Sequence, residues 1–200
     1  MTVKLVGSSS GSVSLQAPAS TSGGANRVLT LPDADATLLS SASSVGKILQ
    51  VVQTFKTDIT SGSGSQGNFQ DISGLSVSIT PTSSSNKILV TFSVQFGVGS
   101  TGTPVGMRLE RDGTGIGIAD ASGSRMRGTV AEQTTYSNAN NTVRLATSQF
   151  LDSPSTTSSV TYNVAIHSSN TWYINRSEEF ETSNNHSVGT SFITAMEVAA

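Results

Sequence analysis

Lys87 to Val98 reads KILVTFSVQFGV, in which Ile88, Val90, Phe92, Val94, Phe96 and Val98 alternate with Leu89, Thr91, Ser93, Gln95 and Gly97. Successive side chains of a strand point to opposite faces, so this period of two predicts a β-strand with one buried face. Leu89 is the one apolar residue out of phase. No stretch shows a comparable helical period, and the alternation returns several times before the C-terminus. A chain patterned this way folds by pairing strands.

The same reading predicts strands over 47–55, 72–80, 87–98, 105–111, 115–119, 124–131, 142–151, 159–167, 171–176 and 190–199. Clusters such as SGSGSQGN, PTSSSN, DASGS and SNANN separate them, and their small polar residues favour turns. Short strands, polar turns and no helix describe an all-β fold, a two-sheet β-sandwich with jelly-roll connections. Arg111-Asp-Gly-Thr114 predicts a tight hairpin, because Asp-Gly accepts the turn that matches strand twist. In TSFITAMEVA, Phe192, Thr194, Met196 and Val198 share one face and Ile193, Ala195 and Glu197 the other. With both faces largely apolar, this strand is expected to be central or interfacial.

Composition narrows the class. Charged residues are only 12% of the chain against 35% hydrophobic, so Ser, Thr, Asn, Gln and Gly must build the water-facing side. Eleven basic residues against 13 acidic ones leave no electrostatic footprint for nucleic acid. Without cysteine the chain has no disulfide and no thiolate metal site, which leaves oligomerisation as a source of extra stability. So neutral a surface can pack around an axis without charge conflict, and a closed threefold homotrimer is expected. No run reaches transmembrane length, and Met1 to Gly7 lacks the apolar core of a signal peptide. Synthesis in a cytoplasm, no export by a visible signal and no membrane insertion are expected.

Residues 1–45 differ in texture from the head that follows over 46–200. Pro18, Gly23, Gly24 and Pro32 interrupt any long regular element, and the segment has too few large apolar residues to build a core. A pure linker would not need its aliphatic residues. The segment therefore reads as an extended attachment peptide that folds against a partner, with Val28, Leu29, Leu31, Leu38 and Leu39 as anchors.

Catalytic motifs are weak. Gly7-Ser-Ser9-Ser-Gly11 matches the spacing of a nucleophile elbow, yet that motif needs a helix after the serine and none is predicted. His167 lies at the polar phase of its strand and reads as a surface or interface histidine. Nothing calls for a cofactor or a metal, and the chain is read as a non-enzyme. The segment TWYINRSEEFETSNNH, residues 171–186, stands apart because it holds the single Trp and the densest acidic group. With Trp172 and Ile174 facing the core, Tyr173 and Asn175 are expected to face outward. Rigid aromatics beside hydrogen-bonding groups suit saccharide or protein recognition, so Tyr173, Asn175, Arg176 and Phe180 are the candidate recognition residues. The bland alternative is one core Trp and a solvated loop, and a carboxylate pair of Glu178 and Glu181 would be the enzymatic one.

GSVSLQAPASTSGGANRVLTLPDADATLLS, KILQVVQTFKTD with ISGLSVSITPTSSSNKILV, and the closing FLDSPSTTSSVTYNVAI, TWYINR and SFITAMEVA together resemble bacteriophage tail-fibre and virion appendage proteins, cyanophage ones among them. The resemblance touches most of the chain and carries no motif with an assigned role. It implies a tumour-necrosis-factor-like jelly-roll head, trimeric and displayed from a virion by its N-terminal segment. The implied function is a structural virion protein, a tail fibre or spike whose head binds a host surface saccharide or protein. Capsid decoration is the nearer alternative, and a small carbohydrate-active enzyme the more distant one. The partners implied are further copies of the chain and other virion proteins, the latter through residues 1–45.

Overall fold

A computed structural model describes residues 2–6, 12–16, 47–64, 67–133, 141–180 and 186–200. The chain divides into two units, residues 1–42 and 43–200. In the first, β1 (Thr2–Val6) pairs antiparallel with β2 (Ser12–Gln16). The anchors Val28, Leu29, Leu31, Leu38 and Leu39 and the Gly7–Gly11 motif lie outside the described residues.

The second unit holds β3 (Ile48–Lys56), β4 (Thr60–Gly62), β5 (Gln70–Ile79), β6 (Lys87–Val98), β7 (Pro104–Arg111) and β8 (Thr114–Ile116). After them come β9 (Val130–Gln133), β10 (Arg144–Asp152), β11 (Val160–Ser168), β12 (Trp172–Ile174) and β13 (Ser191–Val198). Among the described residues there is no α-helix. Three pairs of these strands lie in line and act as single interrupted strands: β3 with β4, β8 with β9, and β12 with β13. One sheet then runs β3/β4, β13/β12, β6, β10, and the other runs β5, β11, β7, β8/β9. In chain order the first strand pairs with the last, β5 with β11, β6 with β10, and β7 with β8/β9. This nested pairing is a long hairpin rolled into two sheets, the topology of a jelly roll. Ala199 N donates to Lys47 O at 3.0 Å, closing the first strand onto the last.

The core lies between the sheets. Ile88, Val90, Phe92, Val94, Phe96 and Val98 of β6 are all buried, as their alternation requires. They meet Leu75, Val77 and Ile79 of β5, Met107 and Leu109 of β7, and Tyr162, Val164 and Ile166 of β11. One polar pin crosses this core. Tyr162 Oη donates to Asp152 Oδ2 at 2.7 Å, and Arg111 Nη1 reaches both oxygens of the same carboxylate at 3.0 and 2.8 Å. Burial, reinforced by the Asp152 carboxylate, pushes the Tyr162 hydroxyl far up from its ordinary range.

Asp112 and Gly113 both take positive φ, 48° and 76°, as the hairpin between β7 and β8 requires. Elsewhere the strand bounds differ from expectation. The stretch 115–119 stops at Ile116 because Gly117 turns the chain at φ 56°. Of 124–131, only Val130 onward joins a ladder. Thr129 makes up the gap between β8 and β9, its N donating to Met107 O and its Oγ1 accepting from Leu109 N. The short β4 was not expected, since Thr60-Ser-Gly62 shows no apolar alternation; its ladder with β12 and the ring of Trp172 beside Gly62 place it.

Candidate functional site

Two features of the head stand out from a generic sandwich. The first is a difference between its two outer faces. On the sheet carrying β5, β11 and β7 the outer face is polar. Asp71, Ser76 and Ser78 meet Thr161 and Asn163, and Asn163 Nδ2 bridges Asp71 Oδ1 at 2.7 Å and Glu110 Oε2 at 3.2 Å. Arg108 pairs with Glu110 and lies 4.3 Å over the Phe69 ring. The opposite sheet is built otherwise. Its register aligns Val51, Met196, Leu89 and Leu151 in one row, and Gln53, Thr194, Thr91 and Gln149 in the next. The third row holds Phe55, Phe192, Ser93 and Thr147, with the Phe55 and Phe192 ring centroids 5.7 Å apart. These rows contain no charged side chain. Val51, Phe55, Leu145 and Leu151 are 56, 58, 59 and 47% exposed. Leu89, the residue out of phase in the β6 sequence, belongs to the apolar row.

The second feature is the break in the strand shared by β12 and β13. Both pair with the same side of β6, β12 along Phe96–Val98 and β13 along Lys87–Ser93. The chain between them leaves the sheet at Asn175, which takes φ 64°. Asn tolerates this left-handed region better than most residues. Asn175 fills the gap it creates. Its N donates to Gln95 O at 2.8 Å, and its O accepts from Gly189 N at 2.9 Å. Its Nδ2 donates to Lys56 O and Asp58 O at 2.9 and 2.8 Å, and its Oδ1 accepts from Ser191 Oγ at 2.7 Å. Ser191 Oγ in turn accepts from Gln95 N at 3.0 Å. One side chain thus ties both interrupted strands, β12/β13 and β3/β4, into line.

Asn175 is fully buried, which corrects its expected outward position. Strict alternation fails there because the strand ends at Ile174 and the left-handed turn redirects the next side chain inward. Trp172 and Ile174 do face the core, and Trp172 Nε1 donates to Gln70 Oε1 at 3.1 Å. Tyr173, Arg176 and Phe180 come together. The Arg176 guanidinium lies 4.3 Å from the Tyr173 ring centroid and 5.4 Å from that of Phe180. Its Nη1 donates to Ser177 O and Glu178 O, while Tyr173 Oη donates to Glu178 Oε1 at 3.1 Å. Burial raises the Tyr173 pKa, and the bond to the Glu178 carboxylate raises it further. The backbone of Arg176 and Ser177 runs so close over Gly97 that a Cβ there would meet Arg176 O at 2.7 Å. Glu178 is therefore engaged with Tyr173, and Glu181, its partner in the enzymatic alternative, lies outside the described residues.

A cavity of about 400 Å³ opens where the excursion returns toward β13, lined by Gln95, Asn141, Val143, Ser177, His186, Ser187, Val188 and Gly189. Sequence reading passes over it because its walls come from β6, from the approach to β10 and from the approach to β13. A second hollow of about 210 Å³ adjoins Arg176, bounded by Ile59, Thr60 and Ser61. Of the surface and interface readings of His167, the surface one does not hold within this chain, where it is only 8% exposed. The turn before β5 covers it: Gly67 N donates to its Nε2 at 3.3 Å and the Phe69 ring lies 5.8 Å away. Burial lowers its pKa. Among the described residues no group of three His, Cys, Asp or Glu side chains could hold a metal ion.

No protein-family model matches the chain, and no curated protein matches it. Among solved structures, that of the infectious bursal disease virus Gt strain is similar at 16% identity, covering 97% of this chain and 44% of that chain, with a TM-score of 0.40. The T=1 particles derived from infectious bursal virus give 15% identity, 98% and 44% coverage and a TM-score of 0.40. The VP2 subviral particle of infectious bursal disease virus gives 11%, 84% and 43%, and 0.39. The chain spans less than half the length of these viral chains, and no functional assignment rests on likeness at this level.

Proposed function

We propose that this chain is a structural virion protein of a bacteriophage, a jelly-roll head that assembles as a homotrimer and is carried by residues 1–45 as a tail fibre or spike. The observation that carries this reading is the charge-free rows of exposed apolar and neutral polar side chains on the outer face of the β3–β13–β6–β10 sheet, beside the charged and polar outer face of its partner sheet. Exposed apolar area gathered on one face marks an interaction surface. A face without charge can meet a different surface of a neighbouring copy with no like-charge conflict, as the head-to-tail contacts of a closed threefold ring require. The sequence resemblance to phage appendage proteins supplies the virion context, and a jelly roll is a frequent architecture of virion and lectin domains. A trimer would present three weak host-binding sites on one rigid body, which multiplies affinity by avidity.

Light scattering on the full chain is expected to give three times the chain mass of 20.6 kDa. Val51→Lys combined with Leu151→Lys, both at exposed positions, is expected to shift that mass to the monomer with the strand circular dichroism unchanged. A monomeric wild type in dilute native solution overturns the reading. Limited proteolysis is expected to cut within residues 7–45 and to leave the trimeric head intact. Gold labelling of particles with antibody against the head separates a tail position from capsid decoration.

A further inference from the structure

We propose that the cavity between β6 and the returning end of the excursion binds a neutral saccharide. The argument is one of chemistry at the wall. Gln95 and Asn141 offer amides, Ser177 and Ser187 hydroxyls, and His186 an imidazole. Among the described residues, no Asp, Glu, Lys or Arg lines the cavity. A charged ligand would shed its water there with no counter-charge, at high cost. A divalent cation would find no carboxylate, and no metal-binding group exists among the described residues. Amides and hydroxyls both donate and accept, which matches the vicinal hydroxyls of a sugar, each of which does the same. Val143 and Val188, 39 and 53% exposed, supply an apolar wall for a sugar's C–H face.

One further observation fits an occupant. The Ser177 hydroxyl donates to Glu179 O at 2.6 Å, which leaves its oxygen free to accept. The volume of about 400 Å³ falls within the usual range of small-molecule sites, roughly 300–1,000 Å³.

Gly189 provides a selective probe. A Cβ at this position would lie 1.9 Å from Oε1 of Gln95. Gly189→Ala therefore displaces the flexible end of Gln95 inside the cavity and leaves the core alone. This site does not depend on the assembly proposed above; only its multivalency does, and the mass measurement tests that separately.

The experiment is saturation-transfer NMR and calorimetry on the full chain with glucose, galactose, mannose and N-acetylglucosamine, beside glucuronate and glucosamine as charged controls. At least one neutral sugar is expected to bind, and the charged controls are not. Asn141→Ala and Gln95→Ala are each expected to weaken binding about tenfold, the effect of losing one good hydrogen bond of about 1.4 kcal/mol. Gly189→Ala is expected to weaken it at an unchanged melting temperature. The proposal is overturned if no neutral sugar of the panel binds, if the charged controls bind better, or if binding survives all three substitutions undiminished.

Discussion

Deletion of residues 190–200 is expected to abolish the soluble head. β13 lies between β3 and β6 and pairs with both along nearly its whole length. Without it β3 has no ladder partner among the described residues, and β6 loses one side of its lower half. Ile193 and Ala195 leave the core, where both are fully buried; burial of an Ile side chain is worth about 1.5–3 kcal/mol. Ser191 and Glu197 go with them, and each closes a buried polar cluster. Together with the ladder bonds lost to both neighbours, these losses are comparable with the net stability of an ordinary domain, about 5–15 kcal/mol. Solubility on expression and thermal melting by circular dichroism check the outcome. A truncated chain with unchanged mass and melting would show the strand to be peripheral.

Glu197→Ala is expected to lower stability by roughly 3 kcal/mol. Its carboxylate is fully buried, and among the described residues no cation pairs with it. Instead it accepts from Gln50 Nε2 at 2.7 Å, Thr82 N at 2.6 Å, Thr82 Oγ1 at 2.8 Å and Asn86 Nδ2 at 2.6 Å. These bonds fasten the turn between β5 and β6 to the last strand. Removing the acceptor strands the buried Asn86 donor at about 1–3 kcal/mol and loosens the turn. Gln50 and Thr82 are exposed enough to recover water, which keeps the loss below the sum of all four bonds. In a domain of this size the melting temperature should fall by about 6–12 °C. Burial alone would raise the Glu197 pKa, but the donors around it outweigh burial and hold it below the ordinary glutamate value of 4.5. A lowered folded pKa means that the contribution is complete above that value and fades as the pH falls through the folded pKa. The wild type should thus lose melting temperature below about pH 4.5 more steeply than Glu197→Ala, as calorimetry across pH 3–7 would show.

The sandwich was legible because period-two alternation reports burial directly. β6 shows it, each apolar residue in phase being buried, and β13 buries Ile193 and Ala195 on one face while half-covering Phe192, Met196 and Val198 on the other. Strand interruptions were not legible. The line formed by β12 and β13 is set by Asn175 and Ser191, sixteen residues apart in sequence and joined by a single 2.7 Å bond. Nothing local to Asn175 announces that its amide will span two strands, so alternation carried its side chain to the wrong face. The Tyr173, Arg176 and Phe180 cluster could be anticipated because its members are close in the chain. The cavity could not, because Gln95, Asn141 and His186 are brought together only by the pairing of β6 with β10 and β13.

Nested pairing also gives the head a direction. Since the first strand closes on the last, Lys47 and Ala199 meet at one end of the sandwich, beside Lys87 at the start of β6. Gln95 stands eight residues further along that strand, about 26 Å away at the rise of an extended chain. The cavity therefore lies at the end of the sandwich opposite Lys47 and Ala199.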